Sequence, residues 1–94
     1  MRTSKGGNEE LVPLAYAREG SLVQIVRIVG GHGLIRRLRD LGLYEGAHIR
    51  VVKSPGPGPA IVSLIDPLTG NVGRRVALGF GVAMKILVRV VSHG

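Results

Sequence analysis

The stretch GGHGLIRRLRDLGLYEGAHIRVV, running from Gly30 to Val52, decides how this chain folds. Leu34, Leu38 and Leu41 recur at i, i+4 and i+7 with Ile35 beside them, while Arg36, Arg39 and Asp40 take the opposite arc. That spacing predicts an amphipathic helix of about three turns over 32–42. Gly42 stands where a helix ends in the left-handed conformation, and Leu43 behind it is placed to close back on Leu38. Glu45-Gly46 then marks a turn, and Ile49 to Lys53 reads as a β-strand. A helix this short is marginal alone and needs a sheet to pack against.

Outward from this unit the chain is strand and turn. Leu22 to Val29 is rich in β-branched residues and ends at Gly30-Gly31, which predicts a strand; both of its faces are apolar, so its inward side stays open. Ala60 to Ile65, Asn71 to Leu78 and Lys85 to Val91 predict three more. Ser54-Pro-Gly-Pro-Gly-Pro59 is a stiff connection, because proline fixes φ and removes an N–H. Asp66-Pro-Leu-Thr-Gly70 is a turn, and Gly79 to Met84 a tight turn or short 3-10 segment. Five short strands with glycine-rich turns, and one helix inserted after the first, make a mainly β domain: a small barrel or sandwich. Closing the sheet would remove its exposed edges. Residues 1–10 are expected to form a flexible tail, and residues 11–92 a single domain whose lead-in, Leu11 to Gly20, carries one helical turn near Leu14 to Arg18.

Composition narrows the function. The chain has 94 residues, a net charge of +7, 45% hydrophobic residues and no Cys, which leaves one domain with an aliphatic core and neither disulfides nor thiolate metal sites. No segment suits a secretory signal or a membrane span, so a soluble cytoplasmic domain is expected. The bases are spread along the sequence; Arg36, Arg37 and Arg39 are the one dense cluster, and Arg74-Arg75 a lesser pair.

No chemistry-bearing constellation stands out. His32, His48 and His93 lack paired metal-ligand spacing, so neither metal nor cofactor is assigned. The six carboxylates and five serines fall in tails, turns, strands or ion-pairing positions, with no nucleophile elbow, so no catalytic residue is assigned and the chain is not read as an enzyme. Gly30, Gly31 and Gly33 have the wrong spacing for a phosphate loop. The charge would suit nucleic acid, but only Tyr16, Tyr44 and Phe80 are aromatic and none interleaves with bases on a strand, as single-strand readers require. Partner binding remains. Leu43 and Tyr44 are large apolar residues in a loop, next to the arginine helix. Arg36, Arg37, Arg39, Leu43 and Tyr44 are therefore the candidate contact residues, with the guanidinium groups as planar donors to carboxylates.

The segment Gly30 to Val52 also resembles the ferrous iron transport protein A (FeoA) family. The resemblance is carried by Gly30-Gly31, Arg37-Leu38, Leu41-Gly42-Leu43, Gly46 and Ile49-x-Val51. It continues through Gly58-Pro59, Val76-Ala77-Leu78, Ala83 and Ile86-x-Val88, with Leu14 and Gly20 in the lead-in, and covers roughly residues 11 to 91. Asp66 to Gly70 lengthens one hairpin relative to the family pattern, and Gly79-Phe80-Gly81 stands where the family often has a basic residue. The resemblance implies an SH3-like small β-barrel of about five strands. It also implies a cytoplasmic, non-enzymatic accessory of ferrous iron uptake that regulates the membrane GTPase transporter FeoB by contact. It implies no nucleic-acid partner and no membrane span of its own, and leaves weak self-association and metal binding open. The alternatives are a basic nucleic-acid-binding barrel or a stand-alone iron-responsive module.

Overall fold

The computed structural model describes residues 10–92; the tail expected over 1–10, apart from Glu10, and His93 lie outside them. The elements in chain order are β1 (Val12–Pro13), a 3-10 turn (Leu14–Tyr16), β2 (Leu22–Ile28), α1 (His32–Asp40), β3 (His48–Lys53), β4 (Ala60–Ile65), β5 (Val72–Leu78), α2 (Phe80–Ala83) and β6 (Ile86–Ser92). The strands form one antiparallel sheet in the order β1-β6-β2-β3-β4-β5. The five expected strands are β2 to β6. The sixth, β1, is only two residues long and pairs with β6 through Val12 opposite Val88. The sheet is barrel-like without closing: among the described residues β1 and β5 remain its two edges.

β2 shows why its sequence left the inward face undecided. Val23 and Ile25 are buried, as strict alternation requires, and the next inward residue would be Arg27. A register shift against β6 between Ile25 and Arg27 changes the parity. Arg27 turns out and Ile28 turns in, so one bulge keeps a charge from burial. β3 keeps its alternation, burying Ile49 and Val51.

α1 ends as its sequence predicts. The Leu43 N–H donates to the Leu38 carbonyl at 2.8 Å and the Gly42 N–H to the Arg39 carbonyl at 2.9 Å, the paired bonds of a Schellman ending. Gly42 has φ +95°, and a Cβ there would stand 2.8 Å from Leu64 Cδ1, so the turn requires glycine for both conformation and space. Leu38 and Leu43 are both buried in the core.

The core is wholly aliphatic. It gathers Leu14, Ile25, Leu43, Ile49, Val62 and Ile86 with smaller residues around them, and burial of this apolar surface is the main stabilising term. All three aromatic side chains stay outside it: Tyr16 is 65% exposed, Phe80 54% and Tyr44 42%. Tyr16 and Phe80 meet edge to face, with ring centroids 6.5 Å apart.

Polar ties fasten the lead-in to β3 and the proline-rich connection. Arg50 Nη1 donates to the Gly20 carbonyl at 2.7 Å, and the Ser54 hydroxyl donates to the Ala17 carbonyl at 2.8 Å. The Ser54 N–H donates to the Glu19 carboxylate at 3.1 Å. The Asp66 to Gly70 turn is closed by Asp66 Oδ1 accepting from the Leu68 N–H at 2.8 Å, which leaves the Leu68 side chain 92% exposed at the hairpin tip.

Candidate functional site

One face of α1 opens onto a groove of about 680 Å³ lined by Ile28, His32, Ile35, Arg39, Tyr44 and Glu45. Three segments build it. Ile28, brought inward by the β2 bulge, comes from the end of that strand. His32, Ile35 and Arg39 sit at i, i+3 and i+7 on α1 and so share one side of the helix. Tyr44 and Glu45 come from the turn between α1 and β3.

That turn is fixed at both ends. Leu43 is anchored in the core, so the main chain at Tyr44 follows directly from a buried point. The Tyr44 carbonyl accepts from the Ala47 N–H at 2.9 Å, and Gly46, at φ +97°, donates its N–H to the Ile25 carbonyl at 2.7 Å. Gln24 Nε2 adds a bond to the Gly46 carbonyl at 3.2 Å. A phenol is thus held half out of the surface by a backbone that is itself tied to β2. A main chain fixed in this way leaves less backbone freedom to be lost on docking.

The lining has an apolar part, Ile28 and Ile35, and a polar rim with a guanidinium, an imidazole, a phenol and a carboxylate. It suits an apolar side chain flanked by hydrogen-bonding groups. Among the described residues, no group of three or more His, Cys, Asp or Glu side chains gathers in a way that could hold a metal ion. Likewise, among the described residues no helix is long and apolar enough to cross a membrane.

The candidate contact residues are divided by the fold. Arg39 and Tyr44 line the groove together. Arg36 is exposed on α1 beside that row, whereas Arg37 is exposed on the other side of the helix, one turn before Leu41. Leu43 is the correction: it is fully buried, so it offers no side chain to a partner and serves as the anchor of the Schellman ending. Sequence reasoning missed Ile28, His32, Ile35 and Glu45 as members of a shared surface. The spacing of His32, Ile35 and Arg39 could have exposed the helical row; Ile28 and Glu45 reach it only through tertiary structure.

The architecture defines a small SH3-like module with a helix set into the β2–β3 connection. A family model described as FeoA domain matches residues 12–90. A protein of Methanocaldococcus jannaschii provisionally named Fe(2+) transport protein A is 34% identical over 84 residues, covering 89% of this chain and 93% of the relative. The chain belongs to the FeoA family. Solved structures agree. A crystal structure of an iron uptake regulatory protein (FeoA) superposes with a TM-score of 0.73 at 35% identity, covering 87% of this chain and 100% of that one. A FeoA-like protein from Clostridium acetobutylicum gives a TM-score of 0.69 at 25% identity, covering 89% of this chain and 91% of that one. A manganese-dependent transcriptional repressor gives a TM-score of 0.74 at 22% identity, with 86% of this chain covering 37% of that one; at that identity the likeness shows the fold alone.

Proposed function

We propose that this protein is a cytoplasmic accessory of ferrous iron uptake that regulates a FeoB-type membrane transporter by direct contact and carries out no chemical step of its own. Membership of the FeoA family and the iron-uptake and Fe(2+)-transport names of its relatives support the pathway. The observation that carries the contact is Tyr44, held 42% exposed at the groove by a buried neighbour and a bonded turn. Aromatic residues fixed beside an apolar floor are the side chains that dominate protein–protein binding energy. Arg39 in the groove and Arg36 next to it supply planar donors for carboxylates on the transporter's cytosolic face. Arg37 points elsewhere and contributes less.

The test is a titration of the full chain against the cytosolic region of the transporter from the same organism. Tyr44→Ala is expected to weaken the complex about tenfold or more, the loss that corresponds to about 1.4 kcal/mol at a binding centre. Its thermal midpoint should stay within a few degrees of the parent. A folded Tyr44→Ala variant that binds with unchanged affinity refutes this interface.

A further inference from the structure

The two edges of the sheet are unlike. β1 is two residues long, and one of them is Pro13, which has no N–H to offer a neighbouring strand. β5 runs for seven residues and, among the described residues, pairs only with β4. Among the described residues its outer side therefore has no neighbouring strand, and such an edge is the template onto which another strand adds. Val72, Gly73, Arg74 and Arg75 are all exposed along it.

The side chains there select what pairs. Arg75 lies opposite Ser63, on the side of the sheet away from the buried Val62–Val76 pair. Arg74 reaches back to the Leu41 carbonyl at 3.4 Å, which places its charge at the C-terminal end of α1. Val72, 60% exposed, and Leu68 at the hairpin tip add apolar surface beside the arginines. A second copy is a poor occupant. Antiparallel pairing centred on the strand sets Arg75 against Arg75, and two chains of +7 repel one another. An acidic strand meets the opposite conditions on every count.

We propose that the β5 edge is a second interaction surface that takes an extended acidic segment of a partner protein, alternating acidic with apolar residues, by strand addition. The surface is independent of the Tyr44 groove, so either can fail without the other. Arginine guards of this kind block indiscriminate edge pairing while admitting a segment of opposite charge.

The experiment follows the backbone amides of the isotope-labelled full chain by NMR as a capped heptapeptide of alternating Glu and Val is added. The amides of β5 are expected to shift and their hydrogen exchange to slow, with affinity falling as salt is raised. Two peptides N-methylated at alternate residues, one in each phase, keep the charge and remove backbone donors; at least one must lose binding. Arg75→Glu is expected to weaken the Glu-Val peptide at least tenfold and to admit a Lys-Val peptide. Arg75→Gln, which adds no negative charge, should give an intermediate loss and serves if the reversal variant does not fold. Four results overturn the proposal. They are no β5 response at millimolar peptide, a response confined to the His32–Tyr44 groove, binding by both N-methylated forms as tight as by the unmethylated peptide, or a dimer of the free chain paired through β5.

Discussion

Gly42 offers the sharpest test of how this chain ends its helix. Replacing it with Ala acts twice. A non-glycine residue in the left-handed region costs about 1–2 kcal/mol, and Gly42 sits at φ +95°. The new Cβ would also lie 2.8 Å from Leu64 Cδ1, which forces that side chain aside at a further ~1 kcal/mol. Alanine restricts the unfolded chain and returns about 0.4–1 kcal/mol. The net expectation is a loss of about 2 kcal/mol, or a fall in Tm of roughly 8–16 °C for a domain of this size. Urea unfolding followed by far-UV circular dichroism measures it, with the slope m unchanged if only stability has moved. Gly33→Ala is the matched control. It lies in the first turn of α1, where nothing outside its chain neighbours and the helix's own backbone stands within 4 Å of its would-be Cβ, so it should gain up to about 0.5–1 kcal/mol. In a Leu64→Ala background the Gly42→Ala loss should shrink, because the obstructing side chain is gone. A Gly42→Ala variant within about 0.5 kcal/mol of the parent, the range of an ordinary surface change, refutes the assignment of strain to this turn.

Three further expectations follow from the packing and the bonds. Leu43→Ala removes a fully buried side chain and should cost about 2–5 kcal/mol in chemical denaturation; a loss below about 1 kcal/mol would show that the site is not close-packed. Arg50→Ala leaves the Gly20 carbonyl without the donor now 2.7 Å away, and should lower stability by about 1.5 kcal/mol and speed hydrogen exchange where the lead-in meets β3. A double-mutant cycle on Tyr16→Ala and Phe80→Ala should return no more than about 0.5 kcal/mol of coupling, because both rings are more than half exposed; a larger value would mean that the pair is shielded in solution.

Local signals were the legible ones. The period change at Gly30, the helix expected over 32–42 and its left-handed stop at Gly42 are written in one short stretch, and the structure has the helix over 32–40 with Gly42 left-handed behind it. The SH3-like fold was legible through the order of weak motifs, none specific alone. What stayed hidden depended on contacts distant in sequence. β1 is too short and too interrupted by Pro13 to read as a strand until β6 lies beside it. The inward face of β2 could not be chosen, because the bulge before Arg27 uses one apolar face and then the other. Leu43 and Tyr44 look alike as adjacent loop residues, yet the Schellman bonds turn one into the core and leave the other half outside. The groove itself needed Ile28 and Glu45 to be carried to the helix by the sheet.

The placement of the aromatics has a spectroscopic consequence. The chain has no Trp, and of its two tyrosines Tyr16 already stands largely in water when it is folded whereas Tyr44 is more than half covered. Unfolding changes the surroundings of Tyr16 little and uncovers the rest of Tyr44, so the folding signal in ultraviolet emission comes mainly from Tyr44. On the proposed contact, a bound partner would occlude the exposed part of the Tyr44 ring and leave Tyr16 as it is. A Tyr16→Phe variant would leave Tyr44 as the single tyrosine emitter, an unlabelled reporter placed at the groove where the contact is proposed.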